Sequence, residues 1–165
     1  MQLLLVRHAI ACERDGQRWP DDGARPLTPR GRRRAREAAA GLQQLTPAPV
    51  RVLVSPLTRA QQTGAILHRY ASWPRAEECA LLQPEAAPAA VLALLGASTE
   101  ERVALVGHQP ALGRLLATCL PGQNHGAAFE LKKMGVALVE FDGAARAGRG
   151  RLVWLLAPKV LRAAS

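Results

Sequence analysis

The chain has 165 residues and is 48% apolar, which fits one globular domain over residues 1–165 and excludes a disordered tail. Lys and Arg outnumber Asp and Glu by 22 to 13, and the formal net charge of +9 favours an anionic substrate or partner. Nineteen of the bases are arginine, whose planar guanidinium matches phosphate oxygens, although an arginine-rich genome would give the same composition.

The three cysteines are far apart, with no Cys-x-x-Cys pair and no histidine at zinc spacing. They are Cys12, Cys79 and Cys119. The apolar run Leu3–Val6 is too short for a signal sequence, and no stretch approaches the ~20 apolar residues of a membrane helix. We therefore expect a soluble, reduced, cytoplasmic protein without a membrane partner, metal or other cofactor.

In chain order, three continuously apolar runs predict buried strands, each followed by a polar turn and a helical pattern. The runs are Leu3–Val6, Val50–Val54 and Val103–Val106. Four helices are predicted: Thr28-Pro29 to about Leu45, Thr58 to about Tyr70, Pro88 to Leu95, and Pro110 to Leu120. The first places Ala35, Ala38, Ala39 and Leu42 on one face.

After Gly122 the pattern changes, because Val136–Phe141 and Arg151–Leu156 resemble two strands of a hairpin joined by the turn Asp142–Gly150. Alternating strands and helices followed by a hairpin predict an α/β three-layer sandwich. Its central sheet is expected to be mostly parallel, with helices on both faces and antiparallel pairing near one edge. Ligands of such sheets bind beyond the carboxyl ends of the strands.

A polar cluster directly follows each of the three apolar runs, at intervals of about 50 residues. The clusters are Arg7-His8-Ala9, Ser55-Pro56-Leu57-Thr58-Arg59 and Gly107-His108-Gln109-Pro110. Taken singly, each is more often an ordinary loop or surface segment. Because parallel strands end at the same edge of a sheet, we expect two histidines and two arginines to meet in one crevice.

Such a set of side chains is suited to phosphoryl transfer. Two guanidiniums can hold the non-bridging oxygens of a phosphoryl group and favour the charge that develops there. A neutral imidazole can attack phosphorus in line, and water can then hydrolyse the resulting phosphohistidine. The second histidine and the backbone N–H groups at the start of the Pro110 helix would donate hydrogen bonds to the same group. No step needs a metal ion.

Five segments resemble the histidine phosphatase superfamily, the phosphoglycerate-mutase-like enzymes named for an Arg-His-Gly signature. The first is Leu-Val-Arg7-His8-Ala9, whose alanine resembles the variant in short phosphohistidine phosphatases of the SixA type. Three more are similar to family motifs: Leu27-Thr28-Pro29-Arg30-Gly31 to LTxxG, Ser55-Pro56-Leu57-x-Arg59-Ala60-x-x-Thr63 to SPLxRAxxTA, and Val106-Gly107-His108-Gln109-Pro110 to VGHxP. The fifth, Leu152–Leu161, is similar to the SixA-type ending. The resemblance implies a phosphoglycerate-mutase-like fold.

By resemblance, His8 is the phosphorylated nucleophile, and Arg7, Arg59 and His108 surround the phosphoryl oxygens. We also assign Gln109 to phosphate binding. Ser55 is expected to be a turn residue, because a serine nucleophile is unexpected without a Gly-x-Ser-x-Gly elbow.

Many relatives use a Glu or Asp between the second and third clusters to protonate the leaving oxygen. Glu85 is the candidate by position, and its alternative is a solvated carboxylate near the start of the Pro88 helix. An alkoxide leaving group needs such an acid, whereas an imidazole, with a pKa near ~6.5, can be protonated before it leaves. The weak acid signal therefore favours cleavage of a P–N bond.

The run Arg25–Arg36 carries six arginines and no acidic residue. It is either a solvated helix face or a docking surface for an acidic protein partner, and without stacking aromatics it does not favour nucleic acid. His125 lies in a loop that can border the crevice. Cys12 is either a small buried filler or a residue that lines the site.

The sequence thus predicts a metal-independent phosphatase that dephosphorylates a phosphohistidine protein, of the histidine-phosphotransfer type, through a phospho-His8 intermediate. An alternative is the same chemistry on a small phosphomonoester or a polyphosphate-like anion, which would require Glu85 or an equivalent acid. A second alternative is a non-catalytic anion-binding module. The short length leaves little room for the lid insertions of larger relatives, and an open crevice would admit a phosphohistidine presented by another protein.

Overall fold

A computed structural model describes residues 1–122 and 129–165, and His125 lies outside this described part. Six strands form a mixed sheet in the order β3-β2-β4-β1-β5-β6. The strands are β1 (Gln2–Arg7), β2 (Arg51–Val54), β3 (Glu77–Glu78), β4 (Arg102–Gly107), β5 (Val136–Phe141) and β6 (Gly150–Leu156). The helices are α1 (Pro29–Leu45), α2 (Thr58–Tyr70), α3 (Pro88–Gly96), α4 (Ala111–Cys119) and α5 (Pro158–Ala163).

The sheet is mostly parallel. Strands β3, β2, β4 and β1 pair in parallel, whereas β5 pairs antiparallel with both β1 and β6. Since β6 runs in the same direction as β1, β5 alone opposes the other strands of this sheet. The predicted hairpin is confirmed, and the carboxyl ends of β1, β2 and β4 lie at one edge.

The central strands are apolar throughout because both of their faces are covered. In β1, Leu3 and Leu5 point into one core and Leu4 and Val6 into the other, and all four are fully buried. Strand β4 divides its side chains in the same way. This arrangement explains runs without polar alternation.

Helices cover both faces and complete the three layers. The core on one side is built from α1, α2 and α5, and the core on the other side from α3 and α4. Helix α1 begins as its sequence predicts, since Thr28 accepts a hydrogen bond from the Gly31 N–H at 2.8 Å and Pro29 follows. The predicted apolar face of α1 is buried.

Two short elements were not predicted. Strand β3 has two exposed glutamates and no apolar pattern, and it forms only through backbone pairing with β2. Helix α5 spans six residues, which is too short to show a helical period. Two 3₁₀ turns, Asp22–Ala24 and Ala80–Leu82, were also not predicted. Within the described ranges, no helix has the length and apolarity required to span a bilayer.

Candidate active site

The two histidines stand side by side because the strands that carry them are paired. Arg7 at the end of β1 is in register with Gly107 at the end of β4, and the His8 N–H donates to the Gly107 carbonyl at 2.9 Å. The imidazoles of His8 and His108 follow these residues, with ring centroids 5.0 Å apart and planes tilted by 53°. The structure therefore brings together the histidines of the first and third clusters.

His8 is held in one tautomer by its neighbour. The Nδ1 atom lies 2.7 Å from the carbonyl oxygen of Ala9. Because a carbonyl oxygen only accepts hydrogen bonds, the proton of the neutral imidazole is on Nδ1 and the lone pair is on Nε2. The side chain is buried, with 7% exposure, and its Nε2 makes no hydrogen bond to the described residues. This nitrogen therefore carries a free lone pair.

Ser55 is more than a turn residue. Its hydroxyl lies 2.8 Å from Nε2 of the buried His108 and also accepts a long hydrogen bond, 3.4 Å, from the Leu57 N–H. With the Leu57 N–H as donor, the hydroxyl can give its proton to Nε2, which leaves the imidazole proton on Nδ1. The Nδ1 of His108 is buried and has no partner in the described structure. In that tautomer it is an unused donor beside His8.

The two arginines are anchored by the ends of their guanidiniums. Arg7 donates from Nη1 to the Leu131 carbonyl at 2.7 Å. Arg59 donates from Nη1 to the Asp22 carbonyl at 2.8 Å, and its Nη2 lies 3.2 Å from the Asp22 carboxylate. In both, the buried Nε lacks a hydrogen-bond partner among the described residues. Buried unpaired donors are costly, so their number here points to an anionic ligand.

Both imidazoles are neutral near pH 7. Burial is the main reason that the pKa of His8 is lowered to about 3, and the charges of His108, Arg59 and Arg7 act in the same direction. The hydrogen bond to Ala9 acts in the opposite direction. Burial and the charges of Arg59, Arg25 and Arg7 lower the pKa of His108 to about 4. These effects show that the guanidiniums act on both histidines. The structure thus joins Arg7, His8, Arg59 and His108 as predicted.

Asp22 and Arg25 were not predicted as site residues. Asp22 lies in the loop between β1 and α1, and a hydrogen bond from Arg25 and the nearby charge of Arg59 hold its pKa below the usual range. The Arg25 side chain is only 13% exposed and donates to the Cys12 carbonyl at 2.6 Å. Arg25 therefore departs from the predicted solvated face, because it precedes α1 and turns toward Asp22. The sequence offers no periodic pattern that reveals these contacts.

Thr63 connects the loop after β1 to helix α2. Its buried hydroxyl donates to the Arg59 carbonyl at 2.7 Å and accepts from the Ala9 N–H at 3.0 Å. The segment that carries His8 is thereby tied to the helix that carries Arg59. Thr63 belongs to a recognised motif, but sequence reasoning gave it no role.

Three other candidates make no hydrogen bond to either imidazole in the described residues. Glu85 is exposed and makes no ion pair or hydrogen bond in the described residues, although its neighbour Ala86 lines a small apolar cavity with His108. Gln109 donates from Nε2 to the Phe129 carbonyl at 2.7 Å, while its Oε1 has no partner. Cys12 is half-buried at a shallow groove of the loop before α1, so it is not the buried filler of the sequence interpretation.

The arrangement is suited to binding a tetrahedral anion beside a neutral imidazole. Across residues 1–122 and 129–165, no group of three or more His, Cys, Asp or Glu side chains is placed to hold a metal ion. The positive charge beside the imidazoles comes from arginine side chains.

Comparison with known proteins gives the same family by sequence and by fold. The sequence model of the histidine phosphatase superfamily, branch 1, matches residues 3–86. An uncharacterised protein of Picosynechococcus sp. is 38% identical over 149 residues, which is 88% of each chain. The phosphohistidine phosphatase SixA of Escherichia coli K12 is 31% identical over 171 residues, covering 99% of this chain and 98% of that protein.

Among solved structures, the protein histidine phosphatase SixA complexed with tungstate superposes with a TM-score of 0.85 at 30% identity, covering 98% of this chain and 99% of that one. This similarity confirms the phosphoglycerate-mutase-like fold expected from the sequence. The chain therefore belongs to the histidine phosphatase superfamily and is a phosphatase of SixA type.

Proposed function

We propose that this phosphatase removes the phosphoryl group from a phosphohistidine residue of another protein, through a covalent phospho-His8 intermediate and without a metal ion. The observation that carries the proposal is the state of His8. Its imidazole is neutral, its proton is fixed on Nδ1 by Ala9, and its Nε2 is unpartnered among the described residues, beside Arg7 and Arg59.

In the first step, the lone pair of His8 Nε2 attacks phosphorus, and the P–N bond of the substrate breaks. The bonding electrons return to the leaving imidazole nitrogen, which takes a proton from solvent. Water then attacks phospho-His8, releases inorganic phosphate and regenerates the neutral imidazole. Arg7 and Arg59 stabilise the phosphoryl oxygens in both steps, and His108 donates to them from Nδ1.

The acidic groups near the site support cleavage of a P–N bond. Asp22 is paired with Arg25 and Arg59, which keep it ionised and make it a poor proton donor. Glu85 is exposed, and residues 123–128 contain no carboxylate. An alkoxide would leave slowly without a positioned acid, whereas an imidazole accepts a proton easily.

The relatives agree with this substrate class. The Escherichia coli relative is named a phosphohistidine phosphatase, and the superposed structure is a protein histidine phosphatase complexed with tungstate. Tungstate is a tetrahedral oxyanion like phosphate. The unpartnered donors of Arg7, Arg59 and His108 are the groups that would bind such an anion here.

The test measures phosphate release, in EDTA, from a phosphorylated histidine-phosphotransfer domain and from p-nitrophenyl phosphate. We expect faster release from the domain and a loss of at least about a thousandfold in His8→Ala. His68→Ala is the matched control, because His68 is an exposed histidine near the end of α2, and it should retain full activity.

Three results would contradict the proposal. Activity that survives in His8→Ala excludes the covalent intermediate, and activity abolished by EDTA excludes metal independence. Faster release from the ester than from the phosphodomain would favour a small phosphomonoester as substrate. In that case, Glu85→Gln should reduce ester hydrolysis.

A further inference from the structure

A groove of about 380 Å³ lies next to the candidate active site. Its floor is formed mainly by small and apolar residues, and its rim by basic residues. The floor comprises Ala9, Ile10, Gly31, Ala35, Met134, Ala157 and Pro158, and the rim comprises Arg34, Lys132, Lys133, Lys159 and Arg162. Four separate segments contribute: the loop after β1, helix α1, the segment before β5, and helix α5 with the residue before it.

The groove is continuous with the segment that holds His8. Ala9, which lines the groove, accepts the hydrogen bond that fixes the His8 tautomer. Met134 lies in the floor, and its N–H lies within hydrogen-bonding distance of the carbonyls of Arg7 and His8, at 3.0 and 3.2 Å. A protein that presents a phosphohistidine to His8 therefore has its neighbouring surface close to this groove.

The rim concentrates positive charge. All three lysines of the chain line it, and no Asp or Glu is among its lining residues. Lys132 pairs with Glu130 at 3.0 Å and Arg162 with Glu37 at 3.8 Å. Both pairs are partly or largely exposed, so they are weak and open to exchange.

We propose that this groove docks an acidic segment of the phosphoprotein substrate, with apolar side chains on the floor and carboxylates at the rim. The inference rests on the proposed function and names the surface by which that substrate is selected. A small polyanion would not need the apolar floor, whereas a protein segment uses both parts. Of the six arginines in the Arg25–Arg36 run, only Arg34 lines this groove.

The test compares two charge-reversal variants of equal charge. Lys133→Glu with Lys159→Glu alters the rim, and Arg146→Glu with Arg149→Glu alters the β5–β6 connection at the opposite end of the sheet. Each variant lowers the formal net charge from +9 to +5. All four side chains are exposed and make no ion pair in the described structure, so folding should be preserved.

Two probes are used, an acidic histidine-phosphotransfer domain and p-nitrophenyl phosphate. The phosphorylated domain measures turnover, and the unphosphorylated domain with a fluorescent label measures affinity by anisotropy. In the rim variant, we expect kcat/KM for the phosphodomain and affinity for the labelled domain to fall about tenfold or more, with ester hydrolysis within about twofold. The control variant should change none of the three by more than about twofold.

Equal effects of the two variants on the domain would overturn the groove proposal, because only net charge would then matter. Absence of domain binding by the wild type would overturn it as well. If the wild type binds the domain through the rim but releases no phosphate from it, the groove proposal stands and the proposed function fails.

Discussion

The hydroxyl of Ser55 lies 2.8 Å from Nε2 of His108, and both side chains are buried. The contact joins the end of β2 to the end of β4. When the hydroxyl donates to Nε2, the imidazole proton lies on Nδ1, so Ser55 favours one tautomer of His108.

Replacing Ser55 with alanine should therefore reduce kcat about tenfold with little change in KM, since the imidazole loses the partner that selects its tautomer. The ¹⁵N chemical shifts of His108 should change from those of an Nδ1–H tautomer to those of a mixture. Ser98→Ala is the control, because Ser98 precedes β4 at the other end of the sheet. Unchanged His108 shifts in Ser55→Ala would contradict the assigned role.

Thr63→Val should weaken both the fold and the catalysis. The variant keeps the shape of the side chain but leaves the buried Ala9 N–H without its acceptor, at a cost of about 1–3 kcal/mol in the free energy of unfolding. The loop that carries His8 is then less firmly held, and kcat should fall. Urea unfolding and turnover measure the two effects, and Thr63→Ser, which retains the hydroxyl, should restore kcat. A valine variant with wild-type kcat would exclude the positioning role.

Stability should decrease as the pH falls from 7 to 5. The folded-state pKa values of His8 and His108, about 3 and about 4, lie below the unfolded value near ~6.5. The unfolded chain therefore binds more protons in this window, and the stability present above pH ~6.5 is lost as the pH falls toward the folded values. The expected loss is on the order of 2 kcal/mol for each imidazole between pH 7 and 5.

His8→Asn should remove about half of that pH dependence, which unfolding by urea at pH 7 and pH 5 would measure. Relative to the wild type, the variant should therefore be less destabilised at pH 5 than at pH 7, because asparagine takes up no proton when the chain unfolds. If the free energy of unfolding depends on pH in the same way in the wild type and in His8→Asn, the pKa of His8 is not lowered in the folded protein.

Two glycines allow close backbone contact, and their alanine variants should separate folding from catalysis. A Cβ at Gly31 would lie 2.0 Å from the Ile10 carbonyl, in the loop after His8, and a Cβ at Gly41 would lie 1.7 Å from the Leu161 carbonyl in α5. Both variants should destabilise the fold by on the order of 1–3 kcal/mol. Only Gly31→Ala should also reduce kcat at temperatures where the protein stays folded.

Gly16→Ala serves as the control for these variants, because nothing lies within 4 Å of the added Cβ. It should leave both the free energy of unfolding and kcat unchanged. Equal kcat values for Gly31→Ala and Gly41→Ala would show that the loop after β1 tolerates displacement.

The main site was predictable because its parts follow directly from the strand pattern. Runs that are apolar on both faces identify parallel strands, and His8, Arg59 and His108 come after them, so parallel pairing alone places them at one edge of the sheet. The alternation of strands and helical patterns likewise predicts helices on both faces of the sheet.

The contacts that tune the site were not predictable. Asp22 reaches Arg59 from an irregular loop whose path no periodicity describes. The basic groove joins Arg34 to lysines that lie about a hundred residues or more further along the chain, and the packing of α5 against α1 brings Lys159 there. Such long-range side-chain contacts depend on tertiary packing, which local propensity does not encode.

The register of β1 with β4 links the neighbouring histidines to a long loop closure in the central sheet. His8 and His108 are neighbours only when strands some hundred residues apart have paired, and that closure carries a large entropic cost. During refolding, local helices can form before it, but the paired imidazoles cannot. The return of turnover after dilution from denaturant therefore reports the closure of the sheet centre, and recovered helical circular dichroism should precede it.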